Sequence, residues 1–304
     1  MALMNRDASG EMVDHIVDFF DRIAPTYDEW AGGQHGRVAA RLVDLAAPEK
    51  NEHVLDVGTG TGLVAHLVAP RVKPGTVFGI DLSDNMLAIA RTRQGDGPAP
   101  RALPARGDRG GSSPQKNKNV QFVGMAAEHL VFRPSTFDLV TMGEALTYFA
   151  DPTEALAEAH RVLRPGGRIA VSCQRRSLNT RAQELFFQGL TPLARRHYLS
   201  LPRYSSERAR FGEPDVLPQI LAGAGFEVGR LTEMVTGGRA GNAREWIELM
   251  AGAGPRPYTL IRSLGPRYRD ELVDEVEAAM ASLGDPDDAF RYHHSYVLVV
   301  ATRR

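Results

Sequence analysis

Met12, Ile16, Phe19, Phe20 and Ile23 recur at helical spacing, so residues 11–24 predict an amphipathic helix that Pro25 stops. A polar and aromatic segment follows, Thr26-Tyr27-Asp28-Glu29-Trp30, and a second helix is expected over 36–47, ended by Pro48. From there the pattern alternates. Apolar runs at 53–57, 76–80, 119–123, 137–142 and 168–173 read as buried strands, and helical periodicity marks 62–69, 83–91 and 152–163. Strands alternating with helices imply a mostly parallel sheet covered on both faces.

Residues 92–118 break this rhythm. They are rich in Gly, Pro, Arg and Ser and offer almost nothing to bury, so they read as a mobile surface insertion. After Cys173 the pattern changes again. A long helical region over 178–199 is interrupted at Pro192, a helix over 213–224 has Pro214 in its first turn, and 225–228 begins a sixth strand. Helices are expected over 242–253 and 268–283, with Gly252, Gly254, Pro255 and Pro257 as the connector between them. A seventh strand closes the chain at 294–302. The expected architecture is a doubly wound, mostly parallel seven-stranded α/β sheet. It carries an N-terminal helical lid (1–50), a ligand-binding core (51–174) and a remainder (175–304). Helical insertions at about 178–212 and 238–290 in that remainder cap the ligand edge and set substrate choice.

Bulk properties narrow the function only a little. The 304 residues carry a formal net charge of -1, which does not favour nucleic acid as a partner. The single cysteine, Cys173, excludes an intramolecular disulfide and a thiol-rich metal site, and suits a reducing compartment. The N-terminus lacks a basic start followed by a continuous apolar run, so no signal peptide is expected. No stretch reaches the roughly 18 apolar residues of a membrane span. A cytoplasmic monomer or homodimer acting on a small molecule, with no metal and no stable membrane insertion, is the expectation.

The chemistry concentrates in 53–67, HVLDVGTGTGLVAHL: a short strand, a turn carrying Gly58, Gly60 and Gly62, then a helix start. Asp56 ends the strand where open α/β sheets place their ligands. A dinucleotide fingerprint requires G-x-G-x-x-G, which the leucine at 63 breaks, and a phosphate loop's Gly-Lys-Ser/Thr is absent. A nicotinamide-dependent oxidoreductase is therefore disfavoured. Asp81 ends the second strand, where a carboxylate can accept both hydroxyls of a ribose. Ser83 is the expected cap of the following helix, which leaves Asp81 free for that role.

Together VLDVGTGTG, GIDLSDNMLAIA, FDLVTMGEALTYFADP and EAHRVLRPGGRIAVS resemble the class I S-adenosylmethionine-dependent methyltransferases. The opening FDRIAPTYDEW resembles their ubiquinone/menaquinone C-methyltransferase-like subgroup, and the likeness covers roughly 20–173 with a return at GAGFEV. The resemblance implies S-adenosyl-L-methionine as cofactor. Its methionine part would lie on Gly58, Thr59 and Gly60 with Asp56 behind them, and Thr61 and Gly62 would complete the turn. It further implies Asp81 on the ribose, Leu82 and Met86 against the adenine, Gly143 near the sulfonium and Tyr27 closing over the site. Where the family usually carries an adenine-reading aspartate-alanine pair, this chain has Ala126 and Ala127, so main chain, Glu128 or packing must substitute.

Methyl transfer from a sulfonium is an in-line displacement on an activated carbon, so holding the two reactants collinear matters most, and a base helps only with an acidic acceptor. Candidates for a catalytic role are Tyr148, Glu144 and His15, each with a bland packing or surface reading beside it. The adjacent His293 and His294 diverge on a strand and do not form a metal pair. The expected reaction is O- or C-methylation (less readily N-methylation) of a hydrophobic or aromatic acceptor, such as a quinone precursor or secondary metabolite. A non-methylating cyclisation on the same cofactor is the rival reading.

Overall fold

The computed structural model describes residues 4–93, 118–175, 179–196 and 210–304. Its sheet has seven strands in the order β3-β2-β1-β4-β5-β7-β6. These are β1 (Val54–Val57), β2 (Val77–Asp81), β3 (Val120–Gly124), β4 (Phe137–Gly143), β5 (Leu163–Arg175), β6 (Phe226–Arg239) and β7 (Arg291–Arg303). The first five run parallel, and only β7 runs against its neighbours β5 and β6. The chain goes from β1 out to β2 and β3, then returns to place β4 on the other side of β1. That reversal opens a crevice beyond the C-terminal ends of β1 and β4, the usual ligand site of a doubly wound sheet.

Strand alternation assigns the core. Leu55, Val57, Val140, Met142, Ile169 and Val171 point to one face, where they meet α5 (Pro152–Val162) and α7 (Val216–Gly223). Val54, Val77, Leu139, Ala170 and Leu298 point to the other. That face is covered by α2 (Trp30–Ala46), α3 (Leu63–Val72) and α4 (Asp84–Thr92). A third apolar cluster, around the fully buried Trp246, joins four helices: α6 (Arg181–Arg196), α8 (Ala243–Ala251), α9 (Pro255–Ser263) and α10 (Pro266–Ala281). This third cluster is the helical cap.

Several boundaries move for identifiable reasons. The N-terminal region divides: α1 (Met4–Ile23) packs on α4 and α9 as a covering helix, whereas α2 buries Leu42 and Val43 completely and is a layer of the core rather than a lid. Within α2 the helical backbone is broken at Ala31, Gly32 and Gly33, all with positive φ, so the regular helix begins near the expected start. The connector expected at Pro255 and Pro257 is the first turn of α9. A proline there costs no hydrogen bond, because first-turn amides have no helical partner. β6 and β7 extend as a long antiparallel pair from Phe226↔Arg303 to Arg239↔Arg291, and the cap helices fill the excursion between them. Most of the expected 92–118 insertion lies outside the described residues.

Candidate active site

The glycine turn follows β1 at the crevice. Gly58, Gly60 and Gly62 all have left-handed φ values of 69°, 54° and 81°, which an L side chain rarely adopts. A Cβ on Gly58 would sit 2.4 Å from the Ala145 Cβ, whereas one on Gly60 would meet nothing, so bare main chain at Gly60 faces open space. Asp56 is buried under the turn and accepts from Thr59 Oγ1 and Thr141 Oγ1, each at 2.6 Å. Burial pushes its carboxyl up to about 6, against the pull of the two threonine hydroxyls. Asp56 thus sets the shape of the turn from behind.

Asp81 spans the crevice at the end of β2. One of its oxygens accepts from the Gly60 amide at 2.8 Å and the other from the Ser83 amide at 2.9 Å. Each carboxylate oxygen accepts two hydrogen bonds, so both keep capacity for a diol. Burial raises the Asp81 carboxyl above its ordinary value. Ser83 caps α4 by accepting from the Met86 amide at 3.1 Å, as its spacing implies. Leu82 stands 47% exposed beside Asp81, an apolar platform at the crevice, while Met86 is fully buried beneath it. Open glycine main chain, a diol-ready carboxylate and an apolar ledge fit the ribose, adenine and amino-acid parts of S-adenosylmethionine. Ala127 is buried in the sheet's first core cluster. Glu128 accepts from the Asp151 amide at 3.1 Å and helps start α5, so it is already engaged.

The N-terminal segment latches onto this turn. Thr61 Oγ1 donates to Asp28 at 2.6 Å, and the Arg93 guanidinium pairs with the same carboxylate while donating to Thr61 O at 2.8 Å. Asp21 on α1 accepts from Ser83 Oγ at 2.5 Å and from the Asn85 amide at 3.2 Å.

Beyond the latch, a cavity of about 450 Å³ opens off the end of β4, between α1, α2, α6 and the 252–257 segment. Its apolar lining includes Phe19, Phe20, Ile23, Phe187, Leu190 and Pro257, and its polar groups include His35, Glu144, Tyr148, Gln174, His294 and Tyr296. Tyr27 stacks on His35 with ring centroids 4.1 Å apart, and Trp30 stacks beside the same ring at 5.1 Å. Glu144 follows Gly143 in left-handed backbone, φ 56°, a conformation uncommon without glycine. Its amide is held by Ser172 O at 3.0 Å and Ser172 Oγ at 3.1 Å, and its carboxylate meets His35 Nδ1 at 3.0 Å.

The structure brings most of the expected residues to the crevice: Tyr27, Asp56, Gly58, Thr59, Gly60, Thr61, Gly62, Asp81, Leu82, Gly143, Glu144 and Tyr148. Met86 and Ala127 are instead buried in the packing, and His15 is placed elsewhere. It lies exposed on α1, whose inner face is taken by Ile16, Phe19 and Phe20, and it does not reach the cavity. The sequence assigned no role to Asp28, Gln34, His35, Arg93 or Tyr296, and weighed His294 only as half of a metal pair. Asp28 lies within the FDRIAPTYDEW segment and Gln34 and His35 lie just after it, which was the available signal; Arg93, His294 and Tyr296 come from elements far away in the chain. Among the described residues no group of three or more His, Cys, Asp or Glu could hold a metal.

Known proteins share the sequence pattern and fold of this chain. Residues 55–171 match the family model described as a methyltransferase domain. A 2-phytyl-1,4-beta-naphthoquinone methyltransferase of Arabidopsis thaliana chloroplasts is 34% identical over 50% of this chain, which spans only 54% of that protein. The demethylmenaquinone methyltransferase of Thermus thermophilus is 32% identical over 69% of this chain and 91% of its own length. Among solved structures, the YcgJ protein of Bacillus subtilis superposes with a TM-score of 0.54 at 17% identity, over 88% of this chain and 98% of that one, and shares the fold. The chain belongs to the class I S-adenosylmethionine-dependent methyltransferases, resembling the ubiquinone/menaquinone type.

Proposed function

We propose that this chain transfers the methyl group of S-adenosylmethionine to an oxygen or carbon of a small, ring-bearing hydrophobic acceptor of the quinol class. The observation that carries the reading is the placement of the cavity. Glu144 and Tyr148, in its lining, follow directly from the end of β4, and Ala145 between them touches the Gly58 turn. An acceptor in the cavity therefore lies next to the cofactor's reactive end. The volume of about 450 Å³ holds a fused two-ring head group, and the phenylalanines, Ile23, Leu190 and Pro257 exclude water around it. Two relatives named for naphthoquinone and demethylmenaquinone methylation support an acceptor of this kind.

The cofactor supplies an electrophilic methyl group on a positively charged sulfur. The chain's residues do the rest. The Gly58–Gly62 turn and Asp81 fix the amino-acid and ribose ends, Leu82 supports the adenine, and Tyr27 closes over them. Aromatic side chains orient the acceptor ring so that its nucleophilic atom lies in line with the methyl carbon, the arrangement from which such displacements gain most. Among the described residues no helix is long and apolar enough to cross a membrane. We place the reaction in the cytoplasm, on acceptors whose apolar tail extends out of the cavity. The test is incubation with methyl-labelled S-adenosylmethionine and chemically reduced demethylmenaquinone analogues. Label in the extracted quinol supports the reading; cofactor binding without transfer to any quinol or phenol overturns it.

A further inference from the structure

We propose that His35 is the proton acceptor for the substrate in the 450 Å³ cavity, set in that role by the Glu144 carboxylate on its Nδ1, with a hydrogen-bonded series Thr236–Gln34–Tyr296 ending at the same cavity. The polarity of these bonds can be read from their chemistry. Thr236 Oγ1 donates to Gln34 Oε1 at 2.8 Å, which fixes the Gln34 amide so that its nitrogen donates to the Tyr296 hydroxyl. Tyr296, with its oxygen occupied as acceptor, lines the same cavity as Glu144, and the charge of that carboxylate helps hold the phenol proton in place. A carboxylate can only accept, so His35 Nδ1, 3.0 Å from Glu144, carries a proton. In a neutral imidazole the other nitrogen, Nε2, then holds a bare lone pair. Nε2 takes no hydrogen bond from any described residue.

Three further observations point the same way. Gln34 and Tyr296 are buried at 0% and 1% exposure, so the series has one arrangement rather than many. Glu144 is kept in left-handed backbone by two bonds from its amide to Ser172, and such strain in a non-glycine residue persists where the surroundings demand it. The neighbouring His294 is set differently. Gln174 donates to its Nδ1 at 3.2 Å, and burial pulls its pKa down to about 3, so it stays neutral and does not compete for the proton.

The inference rests on the methyltransferase reading and specifies it. A base of this kind serves an acceptor that must lose a proton: a phenol, quinol or enol rather than an amine. His35 Nε2 takes the hydroxyl proton, and the O–H electron pair stays on the acceptor. That oxygen (or the ring carbon conjugated to it) bonds to the methyl carbon, and the carbon–sulfur pair leaves with sulfur as a neutral thioether. The positive charge lost by sulfur reappears on the imidazolium beside Glu144, and the proton then passes to water. For carbon methylation, rearomatisation releases the ring proton to solvent.

The test uses 4-nitro-1-naphthol, a two-ring phenol whose anion absorbs in the visible, titrated into the protein saturated with S-adenosylhomocysteine. At a pH below the free probe's own pKa, the wild type should bind it as the coloured anion. H35Q and E144Q should bind it as the colourless phenol, with anion absorbance reduced about tenfold or more, since glutamine at 144 can turn an N–H toward His35 Nδ1 and reverse that hydrogen bond. Calorimetry with S-adenosylmethionine and far-UV circular dichroism, run on every variant, confirm folding and cofactor binding. A colourless complex or no saturable binding in the wild type overturns the inference, as does an anion that persists in H35Q. Failure of the wild type to bind the cofactor would overturn the methyltransferase reading instead. In labelled-methyl assays H35Q should lose roughly a hundredfold or more in kcat while KM for the cofactor holds.

Discussion

Two carboxylates, Asp56 buried and Asp81 partly open, flank the glycine turn with opposite consequences. Asp81→Ala removes the acceptor proposed for the ribose hydroxyls and releases the Gly60 and Ser83 amides. We expect at least tenfold weaker S-adenosylmethionine binding by calorimetry, about 1.4 kcal/mol. Asp56 acts on the turn through Thr59 and Thr141. Its carboxyl is raised from 3.8 to about 6. The folded protein therefore holds this proton more tightly than the unfolded chain. The stability it contributes is full below pH 3.8 and is lost as pH rises through 6, up to about 3 kcal/mol. Chemical denaturation from pH 4 to 7 should show this slope in the wild type and lose it in Asp56→Asn. At this scale the sequence was legible wherever geometry follows from a local motif, as at Gly58, Gly60, Asp81 and Ser83. It was silent on His35, Tyr296 and Gln34, because their meaning depends on β7 and α2 meeting across more than 250 residues of chain.

At the scale of elements, the joint between the N-terminal segment and the glycine turn is a single carboxylate. Asp28 serves Thr61 and Arg93 together, and Arg93 is buried enough for its pKa to fall to about 10. Replacing Asp28 with Asn leaves the guanidinium without its counter-charge, a loss of order 1–3 kcal/mol. Hydrogen exchange should show the 24–29 turn opening more often in Asp28→Asn than in wild type, with exchange in β1 and β4 unchanged. Equal protection of that turn in both proteins would mean that the latch contributes nothing to closure. The elements themselves followed their periodicity closely in 53–173, where strands alternate with helices and each has one buried face. They departed from it at Pro255 and Pro257. Proline signals a break in most contexts, yet serves a helix start as well as a connector, and only the burial of Leu260 and Ile261 decides between the two.

For the whole molecule, the separation of the cap's apolar cluster from the two clusters of the sheet has a mechanical consequence. The cap closes the acceptor cavity through its 252–257 segment, while the cofactor turn rests on the sheet, so the two halves of the site depend on different cores. Trp246, fully buried, is the largest side chain holding the cap together, and Trp246→Ala should cost about 3–5 kcal/mol there. The chain has only two tryptophans, and the other, Trp30, donates its indole N–H to Leu249 O of α8 at 3.0 Å. In the variant Trp30 becomes the sole tryptophan reporter, and it sits at the contact between the N-terminal segment and the cap. If the cap melts independently, Trp30 emission will shift to the red at lower urea than the far-UV signal of the sheet is lost. S-adenosylmethionine will still protect the sheet transition, because its turn, Asp81 and Leu82 lie outside the cap. A single coincident transition would instead show that cap and sheet unfold as one cooperative unit. The cavity would then be closed by the same free energy that holds the cofactor site.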